Sequence, residues 1–151
     1  MPRQPSLFGQ ESSEQKYSLF FGLFPSGAEA ASLFSAGQQL RTQLGLTAKV
    51  ISAERLHVTL HWLGDFVGEI PASVLDQARQ AAGMVTSPPI ALTFDKARSF
   101  FGRSARPFVL GMREENPALT ALHRSLGEAL LKVGVSKPSK EAYTPHVTLL
   151  Y

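Results

Sequence analysis

The tetrapeptide His-Val-Thr-Leu occurs twice in this chain, at residues 57–60 and again at 146–149. The 151 residues include only four His and eight Thr, so accident is a poor explanation, and internal repetition constrains a fold more tightly than any single motif. The repeat extends backwards. Phe21-Gly22-Leu23 and Leu110-Gly111-Met112 each end an apolar run and precede a helical pattern, and both glycines lie 35 residues before their histidine. Two copies of a strand–helix–strand unit are expected, related by a pseudo-twofold axis, with His57 and His146 as equivalent residues meeting in one cleft.

Within each copy the period of two along a strand puts His and Thr on one face while Val and Leu point into the core. The cleft then holds two imidazoles and two hydroxyls. Imidazole ordinarily titrates at about 6.5, so the pair suits a reaction needing a general base and a general acid near neutral pH. The hydroxyls of Thr59 and Thr148 suit the non-bridging oxygens of a phosphate.

The rest of the chain alternates strands and helices without the glycine-rich turn of a dinucleotide fold. Strands are expected over 17–24, 50–51, 56–63, 90–94, 108–112 and 146–151, the third with Leu56, Val58, Leu60 and Trp62 on its apolar face. Helices are expected over 28–44 with Ser26 as cap, from Pro71 to about 84, and over 117–133 with Gly134 as stop. Residues 64–68 should turn the chain, and 95–106 should form a loop or irregular hairpin.

Composition narrows the chemistry. With 44% hydrophobic and 18% charged residues the chain reads as one globular domain, residues 16–151, preceded by a polar flexible arm over residues 1–15. The absence of cysteine excludes disulfides, thiolate metal sites and cysteine nucleophiles. No stretch approaches the ~20 apolar residues of a spanning helix, and the opening residues lack an apolar signal core, which predicts a cytoplasmic protein without a membrane partner. A net charge of +3 attracts polyanions without identifying one. No heptad or exposed apolar helix is evident, so a monomer is expected.

The two motifs and their flanks, Leu56-HVTL-His61-Trp62-Leu63-Gly64 and Pro145-HVTL-Leu150, resemble the paired His-x-Thr-x motifs of the two-histidine (2H) phosphoesterases. The similarity is to their bacterial 2′-5′ RNA ligase branch, also called LigT-like, and covers 17–151. The resemblance implies an α+β, two-lobed, pseudo-twofold fold with antiparallel or mixed sheets, helices on the outer faces and a central cleft. It also implies no metal or other cofactor, and the opening of 2′,3′-cyclic phosphate ends of RNA or nucleotides to 2′-phosphates, with reversible 2′-5′ ligation in some members. Carried onto this chain, it makes one of His57 and His146 the base that activates water and the other the acid that protonates the leaving ribose oxygen, with Thr59 and Thr148 as the phosphoryl-oxygen ligands; His146 is taken as base and His57 as acid, although the near-symmetry of the motifs leaves that choice to the orientation of the substrate. By the repeat, roughly thirty residues should follow the second motif, so the domain is expected to be truncated after it and to show an unpaired strand edge. Many relatives have Arg or Lys where Tyr151 stands.

Other residues carry weaker signals. Lys96, Arg98, Arg103 and Arg106 interleave with Phe100, Phe101 and Phe108, a composition suited to phosphate attraction and base stacking, with Arg106 the better placed. Phe20 and Phe21 both read as core, with one face of their strand able to line the cleft, and Phe21, Tyr143 and Tyr151 are further candidates for RNA contact. His61 follows His57 at a spacing that binds zinc on a helix, but the strand pattern and the lack of a third ligand oppose a metal site. His123, among Leu119, Leu122 and Leu126, reads as structural. Two alternatives keep the cleft: a phosphodiesterase of small cyclic nucleotides, and a non-catalytic module binding RNA ends or phosphate.

Overall fold

The computed structural model describes residues 14–99, 107–135 and 141–151. Arg103, Arg106, Phe100, Phe101 and residues 1–13 of the expected arm lie outside the described residues. The elements are β1 (Lys16–Leu23), α1 (Gly27–Gln43), a 3-10 turn (Ala53–Arg55), β2 (Val58–Val67), α2 (Ala72–Gly83), β3 (Lys96–Ser99), β4 (Phe108–Gly111), α3 (Pro117–Lys132) and β5 (His146–Leu150). The fold is α+β, built on one five-stranded sheet of order β1-β2-β5-β4-β3 in which every pairing is antiparallel.

The sequence repeat accounts for that order. Val58 of the first motif pairs with Val147 of the second, the same position in both copies, so a local twofold passes between them. β1 flanks β2 as β4 flanks β5, and the two expected lobes are the two halves of one sheet. Helix packing is exchanged between copies: α1 lies on β5 and α3 on β2. The symmetry is imperfect. Leu23 faces Val58 whereas Leu110 faces Val147, a slip of two residues relative to the glycine spacing. An even slip leaves every side chain on its original face.

Each half has its own core. Leu56, Val58, Val147, Leu149 and Leu150 pack with Leu33, Phe34 and Leu40 of α1. Leu60 packs with Ala81 of α2 and with Leu119, Leu126, Ala129 and Leu130 of α3. The helix ends follow from local chemistry. Ser26 caps α1, its backbone N–H and its hydroxyl both donating to the Glu29 carboxylate, which holds that carboxyl below its usual range. The Asn116 side chain accepts the Leu119 N–H at 3.0 Å ahead of Pro117.

Four expectations are corrected. Residues 90–94 are not a strand: Leu92 and Phe94 do reach the cores, but Asn116 Nδ2 takes the Ala91 carbonyl at 2.9 Å and ladder pairing starts only at Lys96. The turn expected over 64–68 is delayed to Gly68, because Gly64 to Val67 continue β2 against β1 with Gly64 at φ +147. Val50 and Ile51 form no strand but an isolated bridge to Leu150, backed by the Ile51 N–H donating to the Leu149 carbonyl at 2.8 Å. Trp62 is 59% exposed, since register shifts in the β1–β2 pairing break the alternation and Leu63 packs inward instead. β5 is paired on both sides, and among the described residues the sheet edges are β1 and β3.

Three rings join β2, α3 and the segment before β5. His61 stacks on His123 at 4.1 Å, and His123 on Tyr143 at 3.8 Å. His61 Nε2 donates to the His123 carbonyl at 2.7 Å, and the Tyr143 hydroxyl donates to the Thr59 carbonyl at 2.9 Å. Gly127 makes room, because a Cβ there would lie 3.1 Å from the His61 ring. Burial, then the nearby His61, lowers His123 to about 4, while burial pushes the Tyr143 phenol up to about 12. His123 is thus the structural histidine expected.

Two predictions follow from this packing. The folded-state pKa of His123 lies below its ordinary value, so the unfolded chain protonates first and stability is lost as pH falls from about 6.5 towards 4. Urea titrations at pH 7 and 4.5 should show that fall, and it should be smaller in His123→Gln. Val58→Ala and Val147→Ala should each cost about 2 kcal/mol. Because the two side chains share one pairing, the double variant should depart from additivity by at least ~0.5 kcal/mol in the same titrations.

Candidate active site

Each catalytic candidate is placed by a buried apolar neighbour. Val58, Leu60, Val147 and Leu149 are buried, which turns the half-buried Thr59, His146 and Thr148, and His57 one residue before β2, to the other side of the strands. Antiparallel register about the Val58–Val147 pair then sets His57 opposite Thr148 and Thr59 opposite His146. Facing Cβ atoms in such pairs are about 5 Å apart. The sequence places His and Thr of one copy side by side; the structure adds Thr148 of the other copy to the cavity that His57 lines.

The two rings are held alike. His57 Nδ1 lies 2.7 Å from the Arg55 carbonyl and His146 Nδ1 2.8 Å from the Thr144 carbonyl, in both cases two residues upstream. A carbonyl only accepts, so Nδ1 carries the hydrogen in both rings and Nε2 is the nitrogen that gains or gives a proton. With Nδ1 held in this way in both rings, one Nε2 can act as base and the other as acid.

A cavity of about 180 Å³ opens between the copies, lined by Ile51, Arg55, His57, Thr148 and Tyr151. Tyr151, a candidate from sequence, lines it with 64% of its surface exposed, while reciprocal backbone hydrogen bonds of 2.9 Å to Lys49 fix its position. Arg55 was missed; its only signal was a cation two residues ahead of a motif histidine. On another side of His57, Phe20 and Phe24 approach the imidazole with centroid distances of 4.7 and 5.5 Å. Phe24 is 61% exposed.

Other candidates are distributed differently. Phe21 packs against the α2–α3 core rather than at the motifs, because alternation along β1 sends it and Phe20 opposite ways. Tyr143 stands in the ring stack and touches the site through the Thr59 backbone. His61 faces α3 through that stack while His57 faces Phe20 and Phe24, so the two do not converge as a metal pair. The Arg98 side chain lies over Gly111, its Nε 3.6 Å from the position of a Cβ there, and Gly111 is the register partner of His146. Arg103 and Arg106 lie outside the described residues.

Known proteins are similar to this chain in sequence and fold. Residues 29–151 match the family model of the 2′-5′ RNA ligase superfamily. The crystal structure of E. coli LigT complexed with 3′-AMP is similar with a TM-score of 0.68 and 26% identity, covering 90% of this chain and 73% of that one. A crystal structure described as a phosphoesterase is similar with a TM-score of 0.66 and 26% identity, covering 88% and 71%. TT0787 of Thermus thermophilus shares the fold at a TM-score of 0.58 and 21% identity, covering 89% and 73%. No curated protein sequence matches the chain. The matched segment spans both motifs and most of the chain, so the protein belongs to the 2′-5′ RNA ligase superfamily and carries the fold of the LigT-like 2H phosphoesterases.

Proposed function

We propose that this protein is a metal-independent RNA 2′,3′-cyclic phosphodiesterase that opens cyclic phosphate ends to 2′-phosphates. The observation that carries the proposal is the pair of imidazoles tied through Nδ1 to equivalent carbonyls on either side of the Val58–Val147 pairing, with His57 and Thr148 of the other copy lining one cavity. Binding a phosphate needs donors, but it does not need an acid and a base held in matching tautomers. E. coli LigT, a relative of the same fold, binds 3′-AMP and phosphate, which supports a nucleotide phosphate as the ligand class.

In the proposed reaction His146 Nε2 removes a proton from water as the water oxygen attacks phosphorus. The bond from phosphorus to the ribose 3′-oxygen breaks, and His57 Nε2 protonates that oxygen, leaving a 2′-phosphate. Thr59 and Thr148 donate to the non-bridging oxygens, which gain negative charge as the fifth bond forms. If an RNA 5′-hydroxyl replaces water, the same proton movements produce a 2′-5′ linkage. Phe20 and the exposed Phe24 beside His57 offer the nucleobase an aromatic surface, which favours a nucleotide over a base-free cyclic phosphate.

Hydrolysis of a short RNA ending in a 2′,3′-cyclic phosphate, run with EDTA, tests the proposal. The native chain should release a 2′-phosphate, and His57→Ala and His146→Ala should each lose ~10²-fold or more in rate. Activity abolished by EDTA, or a fully active single-histidine variant, would refute the two-histidine mechanism. The profile of kcat/KM against pH should be bell-shaped, with one limb lost in each histidine variant. Thr59→Val and Thr148→Val should each reduce kcat by ~10²-fold, and circular dichroism should show that the fold is kept.

A further inference from the structure

We infer that Arg55 is a phosphate-binding catalytic residue, supplying to the scissile phosphate of the proposed substrate the positive charge that neither motif contains. This inference rests on the phosphodiesterase reading for its reaction, but the geometry behind it stands separately. The motifs bring two imidazoles, which must exchange protons, and two neutral hydroxyls. A phosphodiester anion that accepts a fifth oxygen gathers charge, and stabilising it calls for a fixed cation.

Among the described residues, Arg55 is the only Lys or Arg lining the cavity that His57 shares with Thr148 of the other copy. No described carboxylate pairs with it, and its side chain is exposed. Its main chain is nevertheless fixed. The Arg55 N–H donates to the Ser52 carbonyl at 3.0 Å, the next residue, Leu56, is 1% exposed in the core, and the Arg55 carbonyl holds His57 Nδ1 at 2.7 Å. The root of the guanidinium and the catalytic ring are thus tied to one turn. A guanidinium stays charged at any working pH and presents paired N–H donors that match two phosphate oxygens.

The size of the cavity agrees. At about 180 Å³ it is smaller than the ~300 Å³ at which pockets for whole small ligands begin, a size that suits a phosphate group rather than a whole nucleotide.

Arg55→Gln and Arg55→Lys, assayed on the cyclic-phosphate RNA beside His57→Ala, test the inference. Arg55→Gln should lower kcat/KM by ~10²-fold, and Arg55→Lys should recover part of it. Both variants keep the carbonyl that holds His57, and Arg55→Lys keeps the charge as well, so in Arg55→Lys the limbs of the pH profile should stay where they are; a shift of the limbs in that variant would mean that Arg55 acts by positioning the ring, and would overturn the inference. Native rates in Arg55→Gln with an inactive His57→Ala would leave the phosphodiesterase reading intact and overturn the role of Arg55. If the native chain shows no turnover, the reading fails, and titration with inorganic phosphate followed by NMR decides for Arg55. Shifts at His57 and Thr148 that disappear in Arg55→Gln would support it, and equal affinity in both proteins would overturn it.

Discussion

The pairing of Val58 with Val147 joins two strands that begin with the same four residues, and most of the architecture depends on it. Antiparallel register about this pair carries each histidine to the other copy's threonine without any loop having to bring them together. The same contact puts two buried valines at the centre of the sheet, where the strand order reads alike from either side apart from β3. Packing and chemistry are therefore coupled. The side chains that bury one face of β2 and β5 also determine which groups point the other way.

Much of this was legible in the sequence because it depends on period and repetition. The motif residues, the three helices and the twofold relation are local or duplicated signals, and the structure has them where those signals put them. The failures share a cause, which is competition from partners distant in sequence. Leu92 and Phe94 alternate like a strand and reach the cores, yet among the described residues no neighbour offers them a ladder. Trp62 falls in a strand whose register shifts, so strict alternation misassigns it. A period of two separates Phe20 from Phe21 but does not say which of them faces the motif histidine.

The site was legible to a different degree. His57, Thr59, His146 and Thr148 announce themselves by repetition. Arg55 does not repeat, and only folding shows that it shares a cavity with Thr148, far away in sequence. The ring stack of His61, His123 and Tyr143 is equally silent, since each of its members reads alone as an ordinary polar or aromatic residue. Its contribution is mechanical: the Tyr143 hydroxyl reaches the Thr59 carbonyl, so the segment leading into the second motif is anchored on the backbone of the first.

The exchanged helix packing has a consequence for the unit as a separate object. α1 lies on the motif strand of the second copy and α3 on that of the first. A lone strand–helix–strand unit would thus present one imidazole, one hydroxyl and a bare apolar strand face, and could bury that face only by meeting another molecule like itself. Its active form would be a homodimer whose occupancy rises and falls with concentration. Joining the two units in one polypeptide makes that encounter intramolecular, at an effective concentration set by the connecting chain. Once joined, the halves are free to diverge, as Phe24 at one histidine and Arg98 near the other already show.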